Sequence, residues 1–238
     1  FKITSNYSPN FSPKKRIKRN IRYLVLHYTG MVSEKKAEKR LTNFKSYVSC
    51  HYFIKKNGSV ILLVPELFSA WHAGKSNWKN LKSLNNYSIG IEIQNKGHEH
   101  GYEKFSKLQI KSVVKLCKKL KKKYNIKRGN ILAHSDIAYE RKKDPGENFP
   151  WKILAKNKIG YWHDIDKKKL NKNRNSKTSL SEKKNMKILL KKIGYYIRRG
   201  TKQNNKLIKS FQRRYRPELI NGEIDKECLI IAKKISKL

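Results

Sequence analysis

Short apolar segments that end in polar, chemistry-bearing residues constrain the fold of this chain most. Segments Arg22–His27, Ile89–Gln94 and Ile131–His134 are each short and apolar, which is typical of buried strands. Residues His51–Lys56 and Ser59–Val64 flank Asn57-Gly58, a pattern that predicts a β-hairpin. Because these strands alternate with helical patterns, after Ser33 and over Phe105–Tyr124, the sequence predicts an α/β or α+β fold, and we favour α/β with a mixed central sheet flanked by helices.

Composition excludes several classes of protein. The 238 residues carry a formal net charge of +41, yet 37% are apolar, so a packed core is expected. Lysine far outnumbers arginine, which favours charge on solvated surfaces over specific nucleic-acid recognition. No apolar run is long enough to span a membrane. Three widely spaced cysteines exclude a disulfide framework and a CxxC zinc module.

The polar stretch 167–185 divides the chain in our interpretation. It is charged and aperiodic, and therefore predicts a linker. Residues 1–166 are expected to form one domain that begins with an extended arm over 1–20, and residues 186–238 a module of three short amphipathic helices. The residues leave the oligomeric state open.

Five residues predict a site for metal-assisted hydrolysis. His27 and His134 end apolar strands, Glu92 interrupts another, and Asp144 precedes Pro145-Gly146. Two neutral imidazoles and one carboxylate suit Zn²⁺ and leave a fourth position for water. Glu92 would then accept a proton, and Lys142 would stabilise an oxyanion. The alternative is that the histidines are hydrogen-bonded core residues and that Asp144 is a turn residue.

Five ordered segments carry a family resemblance. They span about 150 residues: SPNFSPKKRIKRNIRYLVLHYTGM (8–31), VSCHYFIKKNGSV (48–60), SAWHAGKSNW (69–78), NNYSIGIEIQN (85–95) and HSDIAYERKKDPGENFPW (134–151). Together they resemble the zinc-dependent N-acetylmuramoyl-L-alanine amidases of the type-2 amidase and peptidoglycan recognition protein family, and within it the AmpD/AmiD type.

The resemblance implies a role for each matching residue. It implies one zinc ion held by His27, His134 and Asp144, with Glu92 as general base and Lys142 as transition-state stabiliser. The substrate groove is implied to contain Tyr28, Trp71, His72, Ala73 and Arg141. Cys50 occupies a position where some relatives carry a catalytic tyrosine, so the resemblance leaves the proton transfer to Glu92.

The C-terminal residues resemble a three-helix peptidoglycan-binding domain, most clearly in FQRRYRPELINGEID (211–225). The resemblance implies hydrolysis of the amide bond between N-acetylmuramic acid and L-alanine in peptidoglycan or its muropeptides. The alternative is a peptidoglycan-binding protein without turnover. A wall-binding module favours the cell envelope or periplasm, with the cytoplasm as the alternative. Intact and 1,6-anhydro sugars are equally compatible with these residues.

Overall fold

A six-stranded sheet forms the centre of the molecule in a computed structural model that describes residues 2–198 and 200–238. Its strand order is β1-β5-β4-β9-β3-β10, and only the β4–β5 pair is antiparallel. The strands in chain order are β1 (Ile3–Ser5), β2 (Phe11–Ser12), β3 (Tyr23–Tyr28), β4 (Tyr52–Ile54), β5 (Val60–Leu62), β6 (Ser69–Ala70), β7 (Asn77–Trp78), β8 (Leu81–Lys82), β9 (Ser88–Ile93) and β10 (Ile131–Ala133).

The predicted strands lie where their apolar patterns place them. Strand β3 lies between β9 and β10, parallel to both, and Leu24, Val25 and Leu26 are all completely buried. Burial on both faces explains why this segment is continuously apolar instead of alternating. The hairpin around Asn57-Gly58 is confirmed as β4 and β5.

Part of the predicted extended arm belongs to the central sheet. Ile3–Ser5 forms edge strand β1 and pairs in parallel with Val60–Leu62. A three-residue strand within a polar segment carries too little periodicity to be recognised locally. The pairing therefore depends on the hairpin that supplies its partner.

Capping residues define the predicted helices. Ser33 accepts a hydrogen bond from the Lys36 backbone at the start of α1, and Ser106 and Gln109 form a capping box on α2. The helices are α1 (Glu34–Thr42), α2 (Lys107–Tyr124), α3 (His134–Ile137), α4 (Trp151–Lys156), α5 (Lys167–Asn173), α6 (Leu180–Ile193), α7 (Thr201–Tyr215) and α8 (Lys226–Ile235). Within the described residues, none is both long and apolar enough to cross a membrane.

The predicted linker is largely helical, so its description as aperiodic is wrong. Asp166 caps α5, and Ser179 forms a capping box with Glu182 at the start of α6. Between these helices, Arg174 forms a bidentate ion pair with Glu227 of α8, with both N–O distances at 2.7 Å. The two residues are 53 positions apart in sequence, which is why the local pattern did not predict an ordered segment.

The two faces of the sheet are covered by different parts of the chain. Helices α2 and α4 pack on the face to which Leu24 and Leu26 point. Val25 and Leu132 on the opposite face belong to one continuous apolar cluster with residues of α6, α7 and α8. The C-terminal helices therefore share a core with the sheet. The predicted mixed α/β class is confirmed.

Candidate active site

Three neighbouring parallel strands bring the predicted site residues to one edge of the sheet. His27 is the fifth residue of β3, Glu92 is its direct partner on β9, and His134 follows β10 immediately. Because parallel strands align their carboxyl ends, residues far apart in sequence meet at the edge where ligands commonly bind in such sheets. All three lie on the face of the sheet opposite α2.

Asp144 reaches the same point from the loop that follows α3. The backbone carbonyl of Asp144 accepts a hydrogen bond from the Ser135 backbone at 2.9 Å, which ties the loop to the residue after His134. Three atoms then converge: the Nδ1 atoms of His27 and His134 are 2.9 Å apart and lie 3.1 and 3.0 Å from Asp144 Oδ2. All three residues are buried.

The hydrogen bonds behind the histidines set their tautomers. His134 Nε2 lies 3.1 Å from the Ala73 carbonyl, which can only accept, so Nε2 carries the proton. The Ser88 hydroxyl donates to the Leu84 carbonyl and therefore accepts from His72 Nε2.

The same chain of bonds continues to His27. Because His72 donates through Nε2, its Nδ1 is unprotonated, and it accepts from His27 Nε2 at 3.0 Å. In the neutral imidazoles, both Nδ1 atoms that face Asp144 are therefore unprotonated. His72, which the resemblance implies as a groove residue, thus also fixes the tautomer of His27.

This arrangement fits a metal ion. In these tautomers two nitrogen lone pairs and a carboxylate oxygen face one another, and a bound cation would relieve their repulsion. A tetrahedral zinc site with bonds of about 2.0–2.1 Å has ligand–ligand edges of about 3.3 Å, close to the three distances here. His27, His134 and Asp144 are thus a group that could hold a metal ion.

The electrostatics of these residues suit metal binding. Burial, together with the neighbouring His134, lowers the pKa of His27 to about 4, so the imidazole is neutral near pH 7. Burial alone would raise the pKa of Asp144, but the neighbouring His134 and His27 outweigh burial and hold that pKa well below its usual range. A neutral imidazole and an ionised carboxylate are the forms that bind metals.

Glu92 stands beside this group without belonging to it. Its Oε1 is 4.0 Å from His27 Nδ1, and its buried Oε2 has no hydrogen-bond partner among the described residues. Burial and the nearby charge of Asp144 raise its pKa well above the usual range, against the opposing effect of Lys142. A carboxylate with a free oxygen and a raised pKa is suited to accept and return a proton near neutral pH.

A groove of about 410 Å³ opens over these residues. It lies at the surface end of the site, and its volume is within the usual range for small-ligand sites. Of the predicted residues, the groove is lined by Tyr28, Trp71, His72, Glu92, His134, Arg141, Lys142 and Asp144.

Two of the predicted groove residues are used within the protein. The Ala73 side chain is completely buried, and its carbonyl accepts hydrogen bonds from His134 and Arg141. Arg141 also donates to the Lys75 carbonyl and so holds the 73–75 loop in place. The structure therefore places Ala73 behind the groove wall, where it orients a predicted metal ligand.

Sequence reasoning missed part of the groove. His98 lines the groove and contacts the Tyr28 hydroxyl through Nδ1 at 2.8 Å. Glu147 lies 3.0 Å from His98 Nε2 on the far side. The remaining basic lining comes from Arg40, Lys96 and Lys143. In a chain this rich in lysine, no local signal distinguishes these residues from solvated ones.

Comparison with known proteins identifies the family. A sequence profile described as N-acetylmuramoyl-L-alanine amidase matches residues 17–147, more than half of the chain and the part that contains every residue of the site. The chain belongs to the N-acetylmuramoyl-L-alanine amidase family. The predicted enzyme class is thereby confirmed, and the chain is a hydrolase of this type.

Individual relatives agree with this assignment. The amidase AmiD of Escherichia coli is 34% identical over 229 residues, which is 90% of this chain and 82% of AmiD. The 1,6-anhydro-N-acetylmuramyl-L-alanine amidase AmpD of Haemophilus influenzae is 30% identical, over 60% of this chain and 85% of its own length.

Solved structures share the fold over nearly the whole chain. A complex of E. coli AmiD with anhydro-N-acetylmuramic acid-L-Ala-D-gamma-Glu-L-Lys aligns with a TM-score of 0.80 over 95% of this chain and 91% of AmiD. AmpDh3 from Pseudomonas aeruginosa, in complex with anhydromuramic pentapeptide, also reaches 0.80 at 28% identity, over 95% of this chain and 94% of its own. The match includes the C-terminal helices as well as the sheet.

Proposed function

We propose that this chain hydrolyses the amide bond between the lactyl group of N-acetylmuramic acid and L-alanine, with one zinc ion held by His27, His134 and Asp144. The observation that carries the proposal is the convergence of two unprotonated imidazole nitrogens and an ionised carboxylate at about 3 Å. A zinc ion in this position supplies a Lewis acid and lowers the pKa of water.

The residues around the ligands supply the remaining chemistry. Glu92, with its free Oε2, takes the proton from the attacking water and returns it to the leaving amine. Lys142 lines the same groove and stabilises the negative charge that develops on the substrate carbonyl oxygen. Tyr28, Trp71 and Arg141 form walls that orient the substrate.

The substrate class follows from the charge of the groove and from the relatives. Arg40, Lys96 and Lys143 make the rim basic, which suits a ligand that carries carboxylates, as the stem peptides of peptidoglycan do. The AmiD and AmpDh3 complexes hold anhydromuramoyl peptides. We therefore propose muropeptides, including the 1,6-anhydro form, as substrates of this chain.

The domain division and the location of the enzyme extend the proposal. We propose a catalytic unit over residues 1–166 and a C-terminal helical unit over residues 186–238 that resembles a peptidoglycan-binding domain. Such a unit and the strong positive charge favour work on the acidic wall in the cell envelope over work in the cytoplasm.

Muropeptide digestion tests the proposal directly. Purified intact and 1,6-anhydro muropeptides are incubated with the zinc-loaded protein, and the products are identified by mass spectrometry. We expect free peptides that begin with L-alanine, loss of this product on chelation, and its return with zinc.

A Glu92→Gln variant separates turnover from binding. Muropeptides that stay intact with the wild-type protein but bind equally well to both forms would support a recognition protein without turnover. Intact, unbound muropeptides would contradict both functions.

A further inference from the structure

We propose that Arg214 of the C-terminal unit is a positioning residue for the metal site, and that it acts on His134 through Asp136. The inference deepens the proposed function and rests on it. The C-terminal helices would then be a structural part of the active site.

One face of α7 contacts the loop that carries two of the predicted metal ligands. Lys206, Ser210, Arg213 and Arg214 are spaced as residues on one side of a helix. Lys206 Nζ donates to the Glu140 carbonyl at 2.8 Å, and Ser210 Oγ donates to the Ser135 carbonyl at 2.7 Å.

The same face continues with two arginines. Arg213 lies 3.3 Å from Glu147, and Arg214 is paired with Asp136. The contacted residues surround His134 and Asp144 in sequence. Helix α7 therefore supports this loop along most of its length.

Asp136 is the point where this support reaches His134. Its Oδ2 accepts a hydrogen bond from the Ala133 backbone at 2.8 Å, which fixes the residue that directly precedes His134. Its Oδ1 accepts from the Tyr195 hydroxyl, also part of the C-terminal unit, at 2.7 Å. Arg214 pairs with Oδ2 and donates to the Ile131 carbonyl of β10 at 2.8 Å.

The burial of this group makes it sensitive to the loss of one partner. The Asp136 side chain is fully buried, and only 3% of the Arg214 side chain is exposed. A buried carboxylate that loses its cation has no counter-charge within the protein and moves towards water. This movement weakens its bond to the Ala133 backbone and releases the turn that orients His134 towards the site.

The catalytic unit thus depends on contacts from the other end of the chain. Arg214 also stacks on the Trp151 ring at 4.2 Å, so its guanidinium is held between β10, α3 and α4. Apolar residues of α7 near Arg214 pack in the core that includes Val25 and Leu132. A loosely tethered module would make none of these contacts.

A pair of matched variants tests the positioning role. Arg214→Met is compared with Arg216→Met in the full-length protein. Arg216 is equally buried and pairs with Asp225 and Glu227, but these contacts lie within the C-terminal unit. Zinc affinity is measured by competition with a chelator, well below the melting temperature of each variant.

We expect Arg214→Met to bind zinc about 10- to 100-fold more weakly, as is typical when a residue that orients a metal ligand is lost. Arg216→Met should lose comparable thermal stability but keep its zinc affinity within about threefold. Equal zinc affinity in both variants would overturn the inference. A wild-type protein that does not bind zinc would instead contradict the proposed function.

Tyr195→Phe provides a milder variant in case Arg214→Met does not fold. It removes one hydrogen bond to Asp136 and leaves the ion pair intact. We expect a loss of zinc affinity of about fivefold, the equivalent of one hydrogen bond. In turnover of a muropeptide, kcat should fall more than KM rises, because the groove lining is unchanged. Wild-type affinity in Tyr195→Phe would also count against the inference.

Discussion

The hydrogen bond from His27 to His72 leads to a specific prediction for His72→Phe. Phenylalanine keeps a ring in the buried space but accepts no hydrogen bond, so His27 Nε2 loses its partner at 3.0 Å. In the metal-free protein His27 can respond by changing tautomer, because its Nδ1 then donates to Asp144 Oδ2 at 3.1 Å. The metal-free variant should therefore be nearly as stable as the wild type.

Zinc binding prevents this change of tautomer. The metal needs the lone pair on His27 Nδ1, so the proton must return to Nε2, which now faces an apolar ring. An unsatisfied buried donor costs about 1–3 kcal/mol. Since each 1.4 kcal/mol is a factor of ten, we expect zinc affinity to fall by about 5- to 150-fold.

Chelator competition and urea denaturation measure the two effects separately. His72→Asn serves as the matched variant, because its amide oxygen can accept from His27 Nε2 where His72 Nδ1 does now. We expect His72→Asn to retain most of the zinc affinity that His72→Phe loses. Equal affinities in the two variants, or a large loss of metal-free stability with unchanged zinc binding, would refute the reasoning.

Three further predictions concern the same site and its surroundings. Glu92→Gln should lower kcat by at least about 100-fold while zinc content by atomic absorption is unchanged, because Glu92 lies 4.0 Å from His27 Nδ1 and is outside the ligand group; lost zinc would contradict this. In Gly90→Ala the new methyl carbon would overlap the His72 ring at Cγ, so both melting temperature and zinc affinity should drop, and wild-type values of both would show that His72 is not held as described. The free energy of unfolding of the metal-free protein should have its full value above pH 6.5 and fall as the pH decreases, because burial lowers the pKa of His51 to about 3 and that of His27 to about 4, so that only the unfolded chain takes up protons at these sites. Urea titrations should show a shallower pH dependence for His51→Gln, and an unchanged slope would refute the assignment.

Part of the predicted metal site could be recognised from local sequence patterns. His27 lies near the end of one short apolar strand and His134 directly follows another, and parallel pairing brings the two ends together. Asp144 lies in a loop, and the family resemblance pointed to it as a ligand. Glu92 was visible because a carboxylate is costly within an apolar strand. These signals are local, and the fold only had to align them.

The supporting contacts were not predictable in the same way. The role of His72 depends on Ser88 and on the space above Gly90, neither of which is marked by a motif. The ordered segment before α6 depends on Arg174 and Glu227, which are 53 residues apart. Contacts of this kind form only in the tertiary structure. The charged pattern of this segment is typical of a solvated surface, and it therefore did not indicate that Arg174 forms an ion pair.

The position of β3 between β9 and β10 has a consequence for how the protein is made. Synthesis from the amino terminus delivers β3 and β9 well before residues 131–133, so one edge of β3 stays unpaired until β10 emerges. The core around Val25 is completed later still, because the apolar residues of α7 and α8 that share this core are synthesised last. An incomplete chain therefore exposes an unpaired strand edge that can pair with another chain, and ribosome stalling between residues 93 and 131 should favour aggregation.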